Sequence, residues 1–292
     1  MRSNNVLGFI FAATLDDKIP ELASSRTTAS VPIGGKYRII DFDLSNMSNS
    51  GISNVGIVAK SNFQSLMDHV GSGSAYDLSK RRSNLSILPP YDGKAFSSFV
   101  ETIYNMHGYI EHCREEYVLI SQGNVITNID YTDVFDFHSK KKADITLIYK
   151  NHAIPQGYDR PITLDVDNDG KVNQIFVKPG VVDKGVFNHA YGSILIKKDL
   201  LMSEIRNAIS VNQLDVRRLI QSSLGKYSIY AYENKGYCAA ISSINDYFEF
   251  NMDLMKKEVR DELFNPQRPI YTKVRDDAPS RYGLTSNVKN SI

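Results

Sequence analysis

Cysteine is scarce: the 292 residues contain two, Cys113 and Cys238. One pair cannot be the disulfide framework of a chain this long, and the two stand in no metal-ligand spacing. A disulfide-stapled secreted module and a zinc-binding module are thereby excluded, and a reduced, cytoplasmic setting is the expectation. Charge of one sign is equally lacking. Lys and Arg number 34 against 33 Asp and Glu, a formal net charge of +1, so no global field draws the chain to nucleic acid or an anionic membrane. No apolar run approaches the ~20 residues that span a bilayer. The opening MRSNNVLGFIFAAT has one basic residue and a short apolar stretch from Val6 to Ala13. It reads as a buried first strand rather than a secretion signal. Internal repeats and low-complexity tracts are also missing.

What is present is alternation. The apolar, β-branched runs VLGFIFAA, SNVGIVA, EYVLISQG, ADITLIYK and HAYGSILIKK are bounded by turn residues. Between the early ones lie stretches with helical spacing, residues 41–50 and 99–114, the second with Phe99, Ile103, Met106 and Ile110 on one face. Strands alternating with helices predict an α/β domain with a doubly wound, mostly parallel sheet covered on both sides. In PITLDVDNDGKVNQIFV, the Asn168-Asp169-Gly170 turn predicts a hairpin. The same letters imitate the start of a calcium loop, with Asp165, Asp167, Asp169 and Gly170, but Phe176 stands where a bidentate Glu is needed. Residues 245–262 are helical in character, with Phe248, Met252, Met255 and Val259 on one stripe. Pro266, Pro269 and Pro279 then forbid a long helix and predict an extended linker.

Residues 31–59, VPIGGKYRIIDFDLSNMSNSGISNVGIVA, closely resemble the V-P-F-G-G-K-Y-R-[IL]-I-D-F-x-L-S-N-x-x-N-S-G-I segment of ADP-glucose pyrophosphorylases, the glucose-1-phosphate adenylyltransferases. Similarity continues in order through SLMDHVGSGSAYDLSKRRSNLSILPP, GNVITNIDY, IFVKP, YFEFNMDL and FNPQRPIYT, and so covers essentially the whole chain. The resemblance implies a Rossmann-like nucleotidyltransferase domain, expected over residues 1–258. A linker and the first turn of a truncated left-handed β-helix are expected over residues 259–292, ending in SNVKNSI. It also implies a chemistry, the formation of ADP-glucose and pyrophosphate from ATP and glucose 1-phosphate for glycogen or starch.

That reaction needs cations for the phosphates and a metal held by carboxylates, and each expected group can be sought. Active members have a glycine-rich L-A-G-G-x-G-T-R-L loop after the first strand; here the place reads Ile10-Phe11-Ala12-Ala13-Thr14-Leu15-Asp16-Asp17-Lys18, without glycine and with two carboxylates. The family's Lys in R-A-K-P-A-V-P falls on Thr28. The magnesium-binding Asp of L-A-G-D-H falls on Asn124, directly after Gly123 in LISQGNVITNIDY, and the second metal carboxylate, counted back from Asn251-Met252-Asp253-Leu254, falls on Ala240. An amide oxygen adds no charge and a methyl binds no metal.

In the sugar-phosphate signature F-V-E-K-P, the Glu falls on Val177 and the Lys on Lys178, while S-M-G-I-Y becomes Ala190-Tyr191-Gly192-Ser193-Ile194. The family's D-F-G-K-D segment is reduced to LDVRRLIQ. The resemblance thus leaves Lys178, Gly123 and Ser193 as inherited substrate-site positions, no catalytic residue, and no metal ligand of the magnesium that active homologues use. Lys36, Arg38, Lys80, Arg81 and Arg82 are candidates for sensing an anionic effector. Lys140, Lys141 and Lys142 read as a solvated face, and the histidines as surface or packed side chains.

The segments that build the scaffold persist while the groups that bind phosphate and metal are replaced. The pattern resembles the non-catalytic, regulatory subunit of bacterial ADP-glucose pyrophosphorylases. A catalytic adenylyltransferase partner in a hetero-oligomer, for example a heterotetramer, is therefore expected, with no nucleic-acid or membrane partner. Two alternatives are an active adenylyltransferase with other metal ligands, such as Asp130 with Asn124, and a stand-alone nucleotide or sugar-phosphate sensor.

Overall fold

The structure, a computed structural model, describes residues 5–12, 16, 18–59, 62–79, 83–89, 98–153, 161–177, 185–274, 283 and 285–287. The first half runs β1 (Val6–Phe11), α1 (Pro20–Ala23), β2 (Pro32–Ile33), β3 (Tyr37–Arg38), α2 (Ile39–Asn49), β4 (Asn54–Val58), α3 (Gln64–Val70) and β5 (Asn84–Leu88). Next come α4 (Phe99–Asn105), α5 (His107–His112), β6 (Tyr117–Gln122), β7 (Val125–Thr127), α6 (Tyr131–Lys141) and β8 (Ile145–Ala153). The remainder is β9 (Ile162–Val166), β10 (Val172–Val177), β11 (Val186–Lys197), α7 (Lys198–Ser210), α8 (Val216–Ser222), β12 (Ile229–Glu233), β13 (Cys238–Ala240), α9 (Ile244–Asp253) and α10 (Lys257–Leu263).

The run VLGFIF becomes β1, every residue of it buried, paired in parallel with β4 on one side and β6 on the other. A strand covered on both faces must be apolar throughout, which is why the opening stretch looks like a secretion signal. The main sheet has the order β10-β9-β11-β6-β1-β4-β5, with β8 pairing β11 and β12 pairing β8. The β6-β1-β4-β5 part is parallel, as expected. The sheet as a whole is mixed, because β11 runs antiparallel to β6, β8 and β9. Two apolar layers cover its faces. One holds Phe9, Val118, Ile103 and Ile205, the other Ile10, Leu44, Val55 and Phe135.

The VPIGGKYRIIDFDLSN segment forms scaffold contacts. Gly34 and Gly35 take positive φ in the β2–β3 turn. Asp41 in α2 is buried and accepts hydrogen bonds from Tyr76 Oη at 2.6 Å and from Arg38 N–H at 2.9 Å, and pairs with His69 Nε2 at 2.6 Å. Asn46 donates to the Thr127 carbonyl at 2.8 Å and accepts from Ile129 N–H, tying α2 to the exit of β7.

The Asn168-Asp169-Gly170 hairpin forms as expected, with β9 and β10 antiparallel. Asp167 Oδ1 accepts from the N–H groups of Asp169 and Lys171, so this carboxylate serves the turn rather than a calcium ion. The expected helix over 245–262 divides into α9 and α10. Its apolar stripe faces outward: Phe248 is 62% exposed and Met252 and Met255 52% each, while Phe250 is buried. The described part of the proline-bearing segment that follows, residues 264–274, turns at 266–268 and then lies against the domain without regular structure, while Pro279 falls outside the described residues. Arg268 bonds Asp130 at 2.7 Å and the Ile129 carbonyl at 2.9 Å, and Asn128 donates to the carbonyls of Leu263 and Arg268. Of SNVKNSI, residues 288–292 lie outside the described residues, as do Lys80, Arg81, Arg82 and Lys178.

Candidate functional site

Open α/β sheets bind ligands beyond the carboxyl ends of their parallel strands, and β1 and β6 deliver Phe11 and Gln122 to one such crevice. Gly123 follows with its N–H bonded to the Phe11 carbonyl at 2.8 Å. A Cβ there would stand 2.9 Å from the Phe11 carbonyl oxygen and 3.0 Å from Ala29 Cβ, so glycine is required by close backbone approach. Chain direction then reverses into the small β7–β13 ribbon, whose antiparallel register sets Ala240 opposite Val125. Ile241 N–H donates to the Asn124 carbonyl at 2.9 Å. The two positions that the sequence identifies with the metal carboxylates, Asn124 and Ala240, are therefore brought side by side although 116 positions apart in the chain numbering.

Neither position offers a metal ligand of the required kind. Asn124 is buried and its side-chain amide donates to the Ile241 carbonyl at 3.2 Å, while its Oδ1 is buried without a hydrogen-bond partner. Ala240 is buried in an apolar cluster with Val125, Tyr191 and, at its edge, Cys238. The residues present do not fit a magnesium ion: where the resemblance puts two anionic ligands stand a neutral amide turned to a backbone carbonyl and a methyl group in an apolar cluster. Among the described residues no group of three or more His, Cys, Asp or Glu is arranged to hold a metal.

Of the loop that the resemblance puts at the phosphates, Ala13, Thr14, Leu15 and Asp17 lie outside the described residues, and Asp16 turns inward. Asp16 Oδ1 accepts from both the N–H and the hydroxyl of Thr28, each at 2.7 Å. Thr28 is where the resemblance puts a phosphate-binding lysine, and its donors are satisfied by a carboxylate of the same chain. A dianionic phosphate placed here would meet that negative charge, and displacing it would break two hydrogen bonds in a largely buried spot.

Ser193 belongs to the same locus. Strand β11 shifts register against β8 between Ala190 and Ile194, and Gly192 takes φ +86° in that bulge. The side chain of Gln122 lies on it, with its Nε2 2.1 Å from where a Cβ would stand, so any other residue at 192 would have to displace Gln122. Ser193 is buried beside this contact. Next to it stands a group that sequence reading missed. Tyr191 Oη meets His152 Nε2 at 2.5 Å, and the His152 and His189 rings stack with centroids 5.5 Å apart. Burial pushes the His189 pKa down to about 3, with the neighbouring His152 adding to it, and burial with Lys150 nearby pushes His152 down to about 4. Both are neutral at pH 7. Strand pairing across 37 residues creates this cluster, so no local spacing could have announced it. The exposed His107 and His112 only bond local carbonyls, as expected of surface histidines.

Residues 17–257 match the nucleotidyl transferase family. The chain is a member of that family. A Geobacillus stearothermophilus relative named glycogen biosynthesis protein GlgD is 35% identical over 99% of this chain and 75% of its own length. The Bacillus subtilis protein of the same name is 29% identical over 100% of this chain and 76% of its own. A glucose-1-phosphate adenylyltransferase of Clostridium acetobutylicum is 30% identical over 100% of this chain and 78% of its own. This chain thus spans about three-quarters of the length of such relatives. In fold it resembles a Bacillus anthracis structure assigned as a glucose-1-phosphate thymidylyltransferase, with a TM-score of 0.70 at 12% identity, over 90% of this chain and 98% of that one.

Within this family member, the anion candidates Lys36 and Arg38 stand at a separate cavity of about 510 Å³ beside the β2–β3 turn. Arg26 and Lys273 join them there, and among the described residues no carboxylate lines it. Arg38 Nη1 donates to the Ser65 carbonyl and hydroxyl at 2.9 and 2.6 Å, and the Lys36 ammonium lies 4.9 Å from the centre of the Tyr37 ring.

Proposed function

We propose that this chain is a catalytically degenerate, regulatory subunit that modulates ADP-glucose synthesis by a catalytic homologue in glycogen formation. The observation that carries the reading is the pairing of Asn124 with Ala240 on the β7–β13 ribbon: the architecture that would set two carboxylates side by side is intact, and both are absent. Loss of the metal's charge stabilisation, about 4 kcal/mol, costs roughly a thousandfold in rate. The resemblance to proteins named GlgD, alongside active adenylyltransferases, supports a subunit role over a stand-alone one.

Regulation in this reading is allosteric. The subunit contacts one conformation of its partner better than another and shifts the partner's kinetics by that difference. The cavity of Lys36 and Arg38 would take the anionic effector, the β-helix continuation would supply part of the assembly, and the setting is the cytoplasm. The alternative of an active enzyme using Asp130 is disfavoured by its contacts. Asp130 caps α6 through Thr132 N–H at 2.8 Å and pairs with Arg268 at 2.7 Å, at the opposite end of β7 from Asn124.

The test is coexpression with the catalytic homologue, followed by assays of the chain alone and of the mixture with ATP, glucose 1-phosphate and magnesium. The expected result is copurification, a changed partner rate, and at least a thousandfold lower turnover by the chain alone. Turnover of the isolated chain near that of an active homologue, or failure both to copurify and to alter the partner's rate, overturns the proposal. The double substitution Asn124→Asp with Ala240→Asp, assayed alone, should recover measurable magnesium-dependent turnover only if the phosphate loop is also reopened by Asp16→Gly.

A further inference from the structure

A second cavity, of about 760 Å³, lies at the other end of the β7–β13 ribbon, where Asn128 leaves β7 and residues 234–236 enter β13. Its size falls within the roughly 300–1,000 Å³ typical of small-molecule sites. It wraps around β12, whose strand partner among the described residues is β8 and whose other edge carries one bridge, Tyr230 to Lys171. The hairpin turn covers the earlier part of that edge, with Ala231 N–H donating to the Gly170 carbonyl at 2.8 Å. The cavity lies between that turn and helix α6, lined by Asn168 and Asp169 on one side and by Asp133, Phe137 and Lys140 on the other.

The chemistry of the lining selects a ligand class. Two of its carboxylates are already neutralised, Asp130 by Arg268 and Asp169 by Lys141, and Asp167 is held within its own turn. The Lys141 ammonium also lies over the rings of Phe137 and Tyr230, at 5.9 and 5.8 Å. What remains is Asp133 and Glu233 against Lys140 and Lys235. With Asp167 still charged within its turn, the lining carries one net negative charge, which repels a phosphate and, being spread over separate side chains, concentrates at no cation site. The two free carboxylates stand beside half-buried tyrosines. Glu233 is the cross-strand neighbour of Tyr149, and the charge of Asp133 helps push up the Tyr232 hydroxyl, after burial. Ile129 and Ala231 supply an apolar floor, and the buried Asn234 amide, bonded to Thr127 Oγ1 and Gly236 N–H, keeps one N–H for a ligand. Aromatic rings to cover the C–H faces of pyranose rings, with carboxylates, tyrosine hydroxyls and amides to bond their hydroxyls, are the groups a neutral sugar needs.

We propose that this cavity binds a neutral oligosaccharide through Tyr149, Tyr232, Asp133 and Glu233. The inference does not depend on the loss of catalysis at Asn124 and Ala240. Titration calorimetry with maltohexaose, glucose and hexalysine tests it on the chain and on the double variant Asp133→Asn/Glu233→Gln. Asp133 is exposed and Glu233 half-buried, and among the described residues neither has an ion-pair partner, so the variant is expected to keep the native melting temperature. The expected result is saturable binding of maltohexaose, weaker binding of glucose, and at least tenfold weaker maltohexaose binding by the variant. A second variant, Tyr149→Phe, separates the hydroxyl's contribution without removing the ring and should also weaken binding. Absence of saturable maltohexaose binding overturns the proposal, as does binding that the double variant leaves unchanged. Glucose bound as tightly as the hexaose would replace the oligosaccharide by a monosaccharide and overturn it too. Binding of hexalysine in place of the sugars would assign the carboxylates to a basic peptide, with the same consequence.

Discussion

Asp43 shows how much a single side chain can hide in a scaffold motif. It lies in α2, inside the segment DFDLSN, and is buried, with Ser121 Oγ donating to its Oδ1 at 2.5 Å and its Oδ2 left without a partner. Burial pushes its pKa from 3.8 to about 7, partly opposed by the Ser121 bond. The native state therefore keeps a proton that the unfolded chain releases between about pH 4 and 7, and stability falls as pH rises through that window. Three units at ~1.4 kcal/mol each make the fall about 4 kcal/mol. In Asp43→Asn the fall should vanish, while an unpaired amide adds a cost that does not change with pH. Urea unfolding of both proteins at about pH 4 and about pH 8 measures the effect. The variant should gain about 4 kcal/mol relative to wild type between the two conditions, and an unchanged difference would refute the assignment. Acid destabilisation from His138, His152 and His189, whose burial lowers their pKa values, occurs in both proteins and cancels. At this scale the replacement of Asp by Asn124 was legible in the sequence. Its hydrogen bond to Ile241 was not, because that partner is 117 positions away.

Among the elements, the β6–β7 corner depends on one glycine. Gly123→Ala sets a methyl against the Phe11 carbonyl and Ala29, both on packed backbone, and should cost about 2 kcal/mol, lowering Tm by roughly 4–8 °C. Gly108→Ala, in α5 with open space around its Cβ, should instead leave Tm unchanged or slightly raised. Equal thermal shifts in the two variants would contradict this account of the corner. The parallel strands were legible because burial on both faces gives unbroken apolar runs, and the hairpin because Asn168-Asp169-Gly170 supplies its turn. The stripe on α9 was misleading. Periodicity shows that Phe248, Met252 and Met255 share a face of a helix, but not which way that face is turned; here it points outward and Phe250 points in. The antiparallel course of β11 was illegible for a related reason, since strand direction is set by long-range pairing that a local pattern does not encode.

For the whole molecule, near-neutral net charge conceals a segregated surface. Arg26, Lys36, Arg38 and Lys273 converge on one cavity from positions up to 247 apart in the numbering, with no carboxylate among the described residues that line it. The sequence suggested Lys36 and Arg38 but gave no sign of Lys273, which reaches the site because Arg268, Asn128, Asn49 and the bond of Tyr271 to Ser45 hold the proline-bearing segment against the domain, and whose ammonium donates to the Asp68 carbonyl. If this cavity takes the anionic effector of the proposed assembly, the double variant Lys36→Ala/Lys273→Ala should blunt the effector response without changing the effector-free rate of the mixed enzyme. Each cation removed from a partly exposed anion site weakens binding by about 1 kcal/mol, so the effector concentration giving half response should rise roughly tenfold or more. The measurement is a titration of the mixed enzyme with inorganic phosphate and with a sugar bisphosphate at fixed substrate. By reciprocity, an anion that raises the partner's substrate affinity must bind this cavity more tightly when substrate is present, and one that lowers it more weakly, by the same factor. Calorimetry of the assembled complex with and without glucose 1-phosphate should therefore show the same fold-change in anion affinity for wild type and a smaller one for the variant. A response that survives both substitutions intact would place the effector elsewhere.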